Sequence, residues 1–159
     1  VALCRRHPGL RGVVLDLPAA IEQSAPLLAK EAMGERVVHR AGDAMADKLG
    51  AGAWDVVLLF QLAHHFGEAA NRGLVERIAR SLRPGGVLVI LEVIRRERPG
   101  EGGQIGGLFD LYFAFLSRAG TWSFAEMADW QRSAGLVPRR PVRLRTAPGL
   151  GLQIGTKPR

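Results

Sequence analysis

The sequence has little cysteine and no long apolar run, and each shortage excludes a class of protein. Cys4 is the only cysteine in 159 residues, so the chain has no internal disulfide, and we expect a protein of the reducing cytoplasm. No apolar stretch approaches the roughly 20 residues that span a bilayer. The basic residues near the start are followed by Pro8 and Gly9, where a signal peptide would be apolar. We therefore expect no membrane partner.

The charge also lacks the pattern of a nucleic-acid-binding surface. The net charge is +7, and most of it comes from scattered arginines, with one denser stretch over residues 139–145. No aromatic residue alternates with these arginines, as a surface for stacking single-stranded bases would require. A solvated basic face is the simpler interpretation, and we expect no nucleic-acid partner.

Short apolar strands alternating with helices are the main pattern that is present. The fraction of hydrophobic residues, 47%, suits a globular core, and the length suits one domain over residues 1–159. The predicted order is strand, helix, strand, strand, helix and strand over Val13–Leu17, Ala19–Met33, Val37–Ala41, Val56–Phe60, Glu68–Leu82 and Val87–Val93. This order predicts an α/β fold with a doubly wound, mostly parallel sheet.

Several local features refine this prediction. The continuous apolar run Val56–Phe60 is typical of a strand buried on both faces. In the first helix, Ile21, Leu27 and Leu28 are expected to face the core, and Pro26 predicts a kink. Gly34 is the expected end of that helix, and a turn is expected at Arg83-Pro84-Gly85-Gly86.

The last third of the chain has a different character. The glycine-rich segment Arg95–Gly107 predicts a mobile loop, and Leu108–Leu116 is crowded with aromatic residues. These aromatics are expected either to line a pocket for a flat apolar substrate or to form helix core, and Trp122 and Trp130 share that ambiguity. A capping box at Ser123 predicts a helix to about Ala134. Two closing antiparallel strands are predicted at Val137–Leu144 and Leu150–Ile154.

Acidic residues end two successive strands of the predicted sheet, where ligands bind in such folds. Asp16 is placed to accept both hydroxyls of a ribose, or else it is a helix cap or loop carboxylate. Asp43 is placed to accept the amine of an adenine, with Met45 on the purine face, or else it is a turn aspartate. Together the two residues favour a nucleoside site.

Two histidines follow the central strand, and a third candidate ends the next one. His64 and His65 come shortly after Phe60, and histidine, with an ordinary pKa of roughly 6.5, is suited to be a general base. Glu92 is placed either to orient an imidazole or to pair with Arg95 or Arg96. No ligand set for zinc accompanies the histidines.

Several motifs now resemble a known family, the caffeic-acid O-methyltransferase-like small-molecule methyltransferases of class I. The matching segments occur in family order at His7–Pro18, Ala41–Asp43, Asp55–Phe60, Leu62–Phe66, Leu82–Gly86 and Val89–Glu92. The resemblance is close over Val1–Arg96 and looser, though continuous, to the end of the chain.

The resemblance implies a cofactor, a substrate class and a role for each candidate. It implies binding of S-adenosylmethionine by residues at three strand ends, namely Asp16, Leu17, Asp43, Ala44, Met45, Phe60 and Gln61. It implies methyl transfer to a hydroxyl of a small aromatic or polyketide-like molecule, with His64 as general base and Glu92 supporting it.

The chain departs from the family pattern at several positions. His64-His65-Phe66 stands where the family usually has His-Asp-Trp, and Phe60 replaces a lysine. Gly120–Ser123 offers no carboxylate where the family places a second supporting glutamate. Val1–His7 resembles the end of the helix that follows the family's first strand and glycine-rich loop. We therefore expect a fragment that lacks both, from a parent that is a homodimer through an N-terminal domain.

Two rival functions remain open at this point. One is a methyltransferase-like protein that transfers to nitrogen or carbon, or binds the cofactor without catalysis. The other is a nicotinamide-dependent reductase with the same sheet topology.

Overall fold

Strands and helices alternate over two compact units, Val1–Lys48 and Leu49–Arg159, in a computed structural model. The structure describes residues 1–95, 105–117 and 119–159, without the side chains of residues 105–107 and 117. Among these residues, no helix is both long and apolar enough to cross a membrane. The mobile loop predicted over Arg95–Gly107 falls largely on residues 96–104, which lie outside the described residues, and its last three residues, 105–107, are helical instead.

The first unit is built on two parallel strands. It contains α1 (Ala2–Arg6), β1 (Gly12–Asp16), α2 (Pro18–Lys30), a short 3₁₀ turn (Gly34–Arg36) and β2 (Val37–Ala41). β1 pairs with β2 from Gly12 opposite Val37 to Asp16 opposite Ala41. The helix at Val1–His7 and the strand at Val37–Ala41 are thus confirmed.

The first long helix differs from its prediction at its C-terminal end. α2 ends at Lys30, because Ala32 has a left-handed backbone (φ 50°), and Gly34 begins the 3₁₀ turn that follows. Pro26 lies inside α2. Leu28 packs on a small core of Cys4, Met33 and Val37, but Leu27 is exposed, which corrects the prediction that it faces the core.

The second unit carries a five-stranded sheet. Its elements are β3 (Trp54–Phe60), a 3₁₀ turn (Ala63–His65), α3 (Glu68–Ser81), β4 (Leu82–Val93), α4 (Ile105–Ser117), α5 (Phe124–Ser133), β5 (Val137–Pro138), β6 (Val142–Arg143) and β7 (Leu150–Thr156). β3 and β4 are parallel, while β7 runs antiparallel to β4, β5 and β6. The α/β class and the antiparallel pairing at the C-terminus are confirmed. The single strand predicted at Val137–Leu144 is instead two short strands, β5 and β6, and the other predicted strand, β7, pairs with both of them and with β4.

Burial on the two central strands differs. Leu88 and Ile90 of β4 are fully buried. On β3, Val56, Leu58 and Phe60 are 44–49% exposed, which corrects the prediction of burial on both faces. A continuous apolar run records hydrophobicity, and it does not record whether a neighbouring element covers each face.

The turn predicted at Arg83–Gly86 is a bulge within β4. Trp54 pairs with Leu82 and Val56 pairs with Val87, so the four intervening residues of β4 stand opposite the single residue Asp55 of β3. Gly85 has φ 78°, which a residue with a side chain rarely adopts. The glycine therefore marks a change of direction, although the chain stays in one strand.

Helix α5 begins as the sequence predicts. The Ser123 hydroxyl accepts from the Glu126 N–H, and the Glu126 carboxylate accepts from the Ser123 N–H, which completes the capping box. Because α5 follows directly on Trp122, this cap also fixes the segment that contacts the histidine loop.

Candidate active site

The two acidic candidates lie at one edge of the first unit. β1 and β2 are parallel and in register, so Asp16 at the end of β1 pairs with Ala41 at the end of β2. The Gly42 N–H donates to the Asp16 carbonyl at 2.9 Å, and Asp43 follows directly. The parallel pair therefore brings both carboxylates to the same edge, where ligands of α/β sheets bind.

Each carboxylate is held by the backbone that follows it. The Leu17 N–H donates to Asp16 Oδ1 at 2.8 Å, and the Met45 N–H donates to Asp43 Oδ1 at 2.8 Å. The Asp47 carboxylate accepts from the Asp43 N–H at 3.1 Å, which closes a tight turn. Asp16 and Asp43 are exposed, so each presents a fixed carboxylate to solvent. Asp43 is a turn aspartate in geometry, and this leaves its second oxygen available to a ligand.

The remaining cofactor candidates lie at the carboxyl end of β3 in the second unit. Phe60 is 44% exposed there. Gln61 has a left-handed backbone (φ 51°), and its N–H donates to the Leu91 carbonyl at 2.9 Å. This strained residue turns the chain out of the strand and directs it into the histidine-containing 3₁₀ turn.

His64 and Glu92 form a buried pair. His64 Nδ1 lies 2.7 Å from Glu92 Oε2, and both side chains are almost completely buried. The other carboxylate oxygen, Oε1, accepts from the N–H groups of Leu62 and Ala63 at 2.9 and 2.7 Å. An ionised carboxylate is the form that accepts all of these bonds, so Nδ1 is the nitrogen that carries the imidazole proton. In this tautomer, Nε2 is the basic nitrogen of the ring.

Two buried side chains from other elements hold the loop that carries His64. Asn71 of α3 donates through Nδ2 to the carbonyls of Ala63 and Phe66, each at 2.9 Å. The Trp122 indole N–H donates to the same Ala63 carbonyl at 3.0 Å. The backbone on either side of His64 is therefore fixed independently of the ring itself.

Aromatic rings cover the imidazole. Phe113 of α4 stacks on His64 with ring centroids 4.0 Å apart and an angle of 25°, and it is 8% exposed. His65 is exposed, and its ring centroid lies 4.3 Å from that of His64 and 6.1 Å from that of Phe113, in a T-shaped contact with Phe113. Phe109 stacks on Phe113 at 6.0 Å.

The sequence left open whether the aromatic residues of Leu108–Leu116 line a substrate pocket or form helix core, and the structure shows that they differ from one another. Phe113 is buried beside the imidazole, while Phe109, Tyr112 and Phe115 are exposed. Trp122 and Trp130 are both buried and meet edge to face at 4.9 Å. The tryptophans are thus core residues, and α4 presents a single ring to His64.

His65 differs electrostatically from an ordinary surface histidine. Partial burial lowers its pKa, the adjacent His64 imidazole lowers it further, and the more distant Glu92 carboxylate opposes the shift. The net shift is downward, so His65 is neutral at neutral pH. A neutral imidazole in this position both donates and accepts a hydrogen bond.

A carboxylate that sequence analysis missed supports the same region. Asp110 Oδ1 accepts from the backbone N–H and from the hydroxyl of Thr121, each at 2.8 Å. Thr121 is fully buried. The feature of the sequence that could have identified Asp110 is that it is the single acidic residue in the mainly apolar α4. Asn71 could have been identified in the same way, because it is a polar residue on the apolar face of α3, three residues before Leu74.

The structure also resolves the alternatives for Glu92. Arg95 pairs with Glu126 of the capping box and does not pair with Glu92, while Arg96 lies outside the described residues. Within the described ranges, no group of three or more histidine, cysteine or acidic side chains is arranged to hold a metal ion.

The lowered pKa of His65 makes a testable prediction about stability. Folding disfavours protonation of His65, so the native protein loses stability relative to a His65→Gln variant as the pH falls below about 6.5, the usual histidine value. Urea unfolding from pH 8 to pH 5 measures this. We expect a constant difference between the two proteins above pH 7.5 and a growing advantage for the variant below pH 6.5. A difference that stays flat over the whole range would contradict the shift.

The chain is similar to known proteins in both sequence and fold. The family model of the O-methyltransferase domain matches residues 1–135. The chain is 31% identical to 3-hydroxy-5-methyl-1-naphthoate 3-O-methyltransferase of Streptomyces sahachiroi, over 99% of the chain and 45% of that protein. It is 24% identical to L-tyrosine C(3)-methyltransferase of Streptomyces lavendulae, over 91% of the chain and 39% of that protein.

A solved structure agrees with these relatives. The S-adenosylmethionine-dependent methyltransferase SibL, in its apo form, superposes with a TM-score of 0.85 at 25% identity, over 99% of the chain and 46% of that structure. The chain thus spans less than half the length of the relatives it matches. The family match covers most of the chain, and the resemblance to small-molecule O-methyltransferases is confirmed. This chain belongs to the O-methyltransferase domain family.

Proposed function

We propose that the protein transfers a methyl group from S-adenosylmethionine to a hydroxyl of a small aromatic or polyketide-like molecule, with His64 as general base. The observation that carries this proposal is the buried His64–Glu92 pair in a chain of the O-methyltransferase domain family. The same family membership argues against the nicotinamide-dependent reductase.

The acidic edge of the first unit suits the nucleoside part of this cofactor. Asp16 Oδ1 is occupied by the Leu17 N–H, and Oδ2 has no hydrogen bond within the described residues. A fixed, exposed carboxylate is a good acceptor for ribose hydroxyls. Asp43 offers the same chemistry to the adenine amine, with Ala44 and Met45 in the turn beside it.

We assign Phe60 and Gln61, at the end of β3, to the same cofactor. Phe60 is exposed and apolar, which suits contact with a flat or aliphatic group, and Gln61 offers an exposed amide. When bound, S-adenosylmethionine supplies an activated methyl group on a sulfonium. The assigned residues of this chain would bind the cofactor, and His64 would prepare the acceptor.

The His64–Glu92 pair is arranged to prepare the acceptor hydroxyl. A phenol has a pKa near roughly 10, so at neutral pH its oxygen is a poor nucleophile until it loses its proton. Because Nδ1–H is held by Glu92, Nε2 is the nitrogen that takes the proton. The carboxylate then stabilises the resulting imidazolium, and a positioned base of this kind contributes about 10²–10⁴-fold in rate.

The surroundings of His64 favour a flat aromatic acceptor. Phe109, Tyr112 and His65 are exposed aromatic side chains close to the ring that stacks on His64. Such rings stack on planar acceptors, and the neutral His65 adds a hydrogen-bonding group. The name of the naphthoate methyltransferase describes an acceptor of this class.

A second candidate function is methyl transfer to carbon. The chain also matches an L-tyrosine C(3)-methyltransferase, and it carries His65 and Phe66 where the resembled family has Asp and Trp. Analysis of the methylated product distinguishes the two, because an O-methyl ether and a C-methyl arene differ in the chemical shift of the transferred methyl. The homodimer expected for the parent protein remains a prediction.

Replacement of His64 tests the assigned base. His64→Ala is expected to lower kcat by about 10²–10⁴-fold, because the acceptor then keeps its proton, while the affinity for S-adenosylhomocysteine stays within about twofold of the native value. Radiolabelled methyl transfer measures the rate, and calorimetry measures the affinity. A variant with unchanged kcat would remove His64 from this role.

Replacement of Asp16 tests the assigned cofactor site. Where the His64 variant loses rate and keeps its affinity, the Asp16 variant is expected to lose affinity for the cofactor product. Asp16→Ala is expected to weaken S-adenosylhomocysteine binding by about 10–100-fold, because hydrogen bonds to a charged group contribute about 1.5–3 kcal/mol each. Glu22→Ala on α2 is the matched control, since that residue is also acidic and exposed. Equal affinities for the native protein, the control and Asp16→Ala would refute the assignment, and the absence of any binding would refute the proposed function.

A further inference from the structure

Asp110 is an unusual residue for its position. It is the only charged residue in α4, whose other side chains are almost all apolar, and it is half-buried. One of its oxygens accepts two bonds of 2.8 Å from Thr121, a residue that is fully buried. Bonds to an ionised acceptor are about twice as strong as neutral ones, so this contact joins α4 firmly to the segment before α5.

Each residue of the Asp110–Thr121 contact is linked to His64 through a neighbouring residue. On α4, Phe113 lies three residues after Asp110, on the same side of the helix, and it stacks on the imidazole. On the other side, Trp122 follows Thr121 and donates to the carbonyl of Ala63, the residue before His64. The Trp122 carbonyl in turn accepts from the Arg95 N–H at 3.0 Å.

The three contacts hold different parts of the histidine and its loop. Glu92 holds the ring at Nδ1, Trp122 holds the carbonyl of the preceding residue, Ala63, and Phe113 stacks on the ring. Glu92 lies on β4, the neighbour of the strand β3 from which the histidine-containing turn emerges. Phe113 lies on α4, and the Asp110–Thr121 contact anchors α4 close to this ring.

We propose that Asp110 is a positioning residue for His64, which it orients through Thr121 and Phe113. The inference rests on the proposed function of His64. Without the carboxylate, the N–H and hydroxyl of the buried Thr121 lose their acceptor, and α4 relaxes to satisfy them. Phe113 then leaves the imidazole face, and the ring samples orientations in which Nε2 no longer meets the acceptor. A displacement of about 1 Å is enough to cost up to 10²-fold in rate.

Kinetics of matched variants in the intact protein give the first test. Asp110→Ala is expected to lower kcat by about 10–100-fold, with the affinity for S-adenosylhomocysteine changed by less than twofold. Asp110→Asn keeps an acceptor oxygen for Thr121 and is expected to recover most of the activity. Glu22→Ala, an exposed acidic residue on α2, is the unchanged control. A purely structural role would lower the melting temperature of Asp110→Ala and leave kcat intact below it.

The ring signals of His64 give a second test that needs no turnover. The ring current of Phe113, stacked on His64 at 4.0 Å, shifts the carbon-bound protons of the imidazole upfield in the NMR spectrum. Labelling the histidines with ¹³C makes these signals visible. Asp110→Ala is expected to move them back toward the values of an exposed histidine, as Phe113→Leu does directly. Asp110→Asn keeps them near the native position.

The outcomes separate the two hypotheses. If the protein transfers no methyl group, the proposed function fails, and the ring signals still decide the role of Asp110. If His64 is required for turnover but Asp110→Ala leaves both its ring signals and kcat unchanged, the inference alone is overturned. Should Asp110→Ala fail to fold, Thr121→Val decides in its place, because it removes only the hydroxyl bond. It must then move the ring signals part of the way, and unmoved signals overturn the inference.

Discussion

The candidate site depends on the hydrogen bonds that the carboxylate of Glu92 accepts. This carboxylate is fully buried at the end of β4, and it accepts bonds from two backbone N–H groups and from the His64 ring. An unpaired charge in such a place costs several kcal/mol, so the burial is stable only because every bond is made. The same group thereby holds the start of the 3₁₀ turn at Ala63–His65 and is placed to accept a hydrogen bond from Nδ1 of its histidine.

The rest of the second unit keeps this carboxylate and its partners in place. Gln61 turns the chain sharply at the end of β3, so that the next backbone N–H groups point at the end of β4. Asn71 and Trp122 then fix the Ala63 carbonyl from α3 and from the segment before α5. The site is therefore supported by rigid elements, although His64 itself lies in a loop.

The features predicted best from the sequence are the secondary-structure elements that short-range patterns of residues specify. β2, α3 and α5 follow from apolar periodicity and from the capping box at Ser123, and the structure places them within one residue of the predicted bounds. The placement of Asp16 and Asp43 at one edge follows from parallel strands, because such strands end on the same side. The resemblance to a methyltransferase family was also carried by local motifs.

What the sequence did not predict depends on contacts between distant residues. The exposed face of β3 was missed because hydrophobicity alone does not specify what packs on a strand. The Asp110–Thr121 contact joins α4 to a segment eleven residues later, and the Asn71 and Trp122 bonds converge on one carbonyl from two elements. Such contacts follow from the tertiary arrangement, and no periodicity marks them in advance.

The tautomer of His64 tests the central claim most directly. Nitrogen-15 chemical shifts of the imidazole at neutral pH distinguish a protonated ring nitrogen from a basic one. If Glu92 orients His64 as a general base, Nδ1 carries the proton, Nε2 has the shift of a basic nitrogen, and Glu92→Gln disturbs this distribution. A native protein whose proton sits on Nε2 would contradict the account, because the ring would then have no basic nitrogen outside its bond to Glu92.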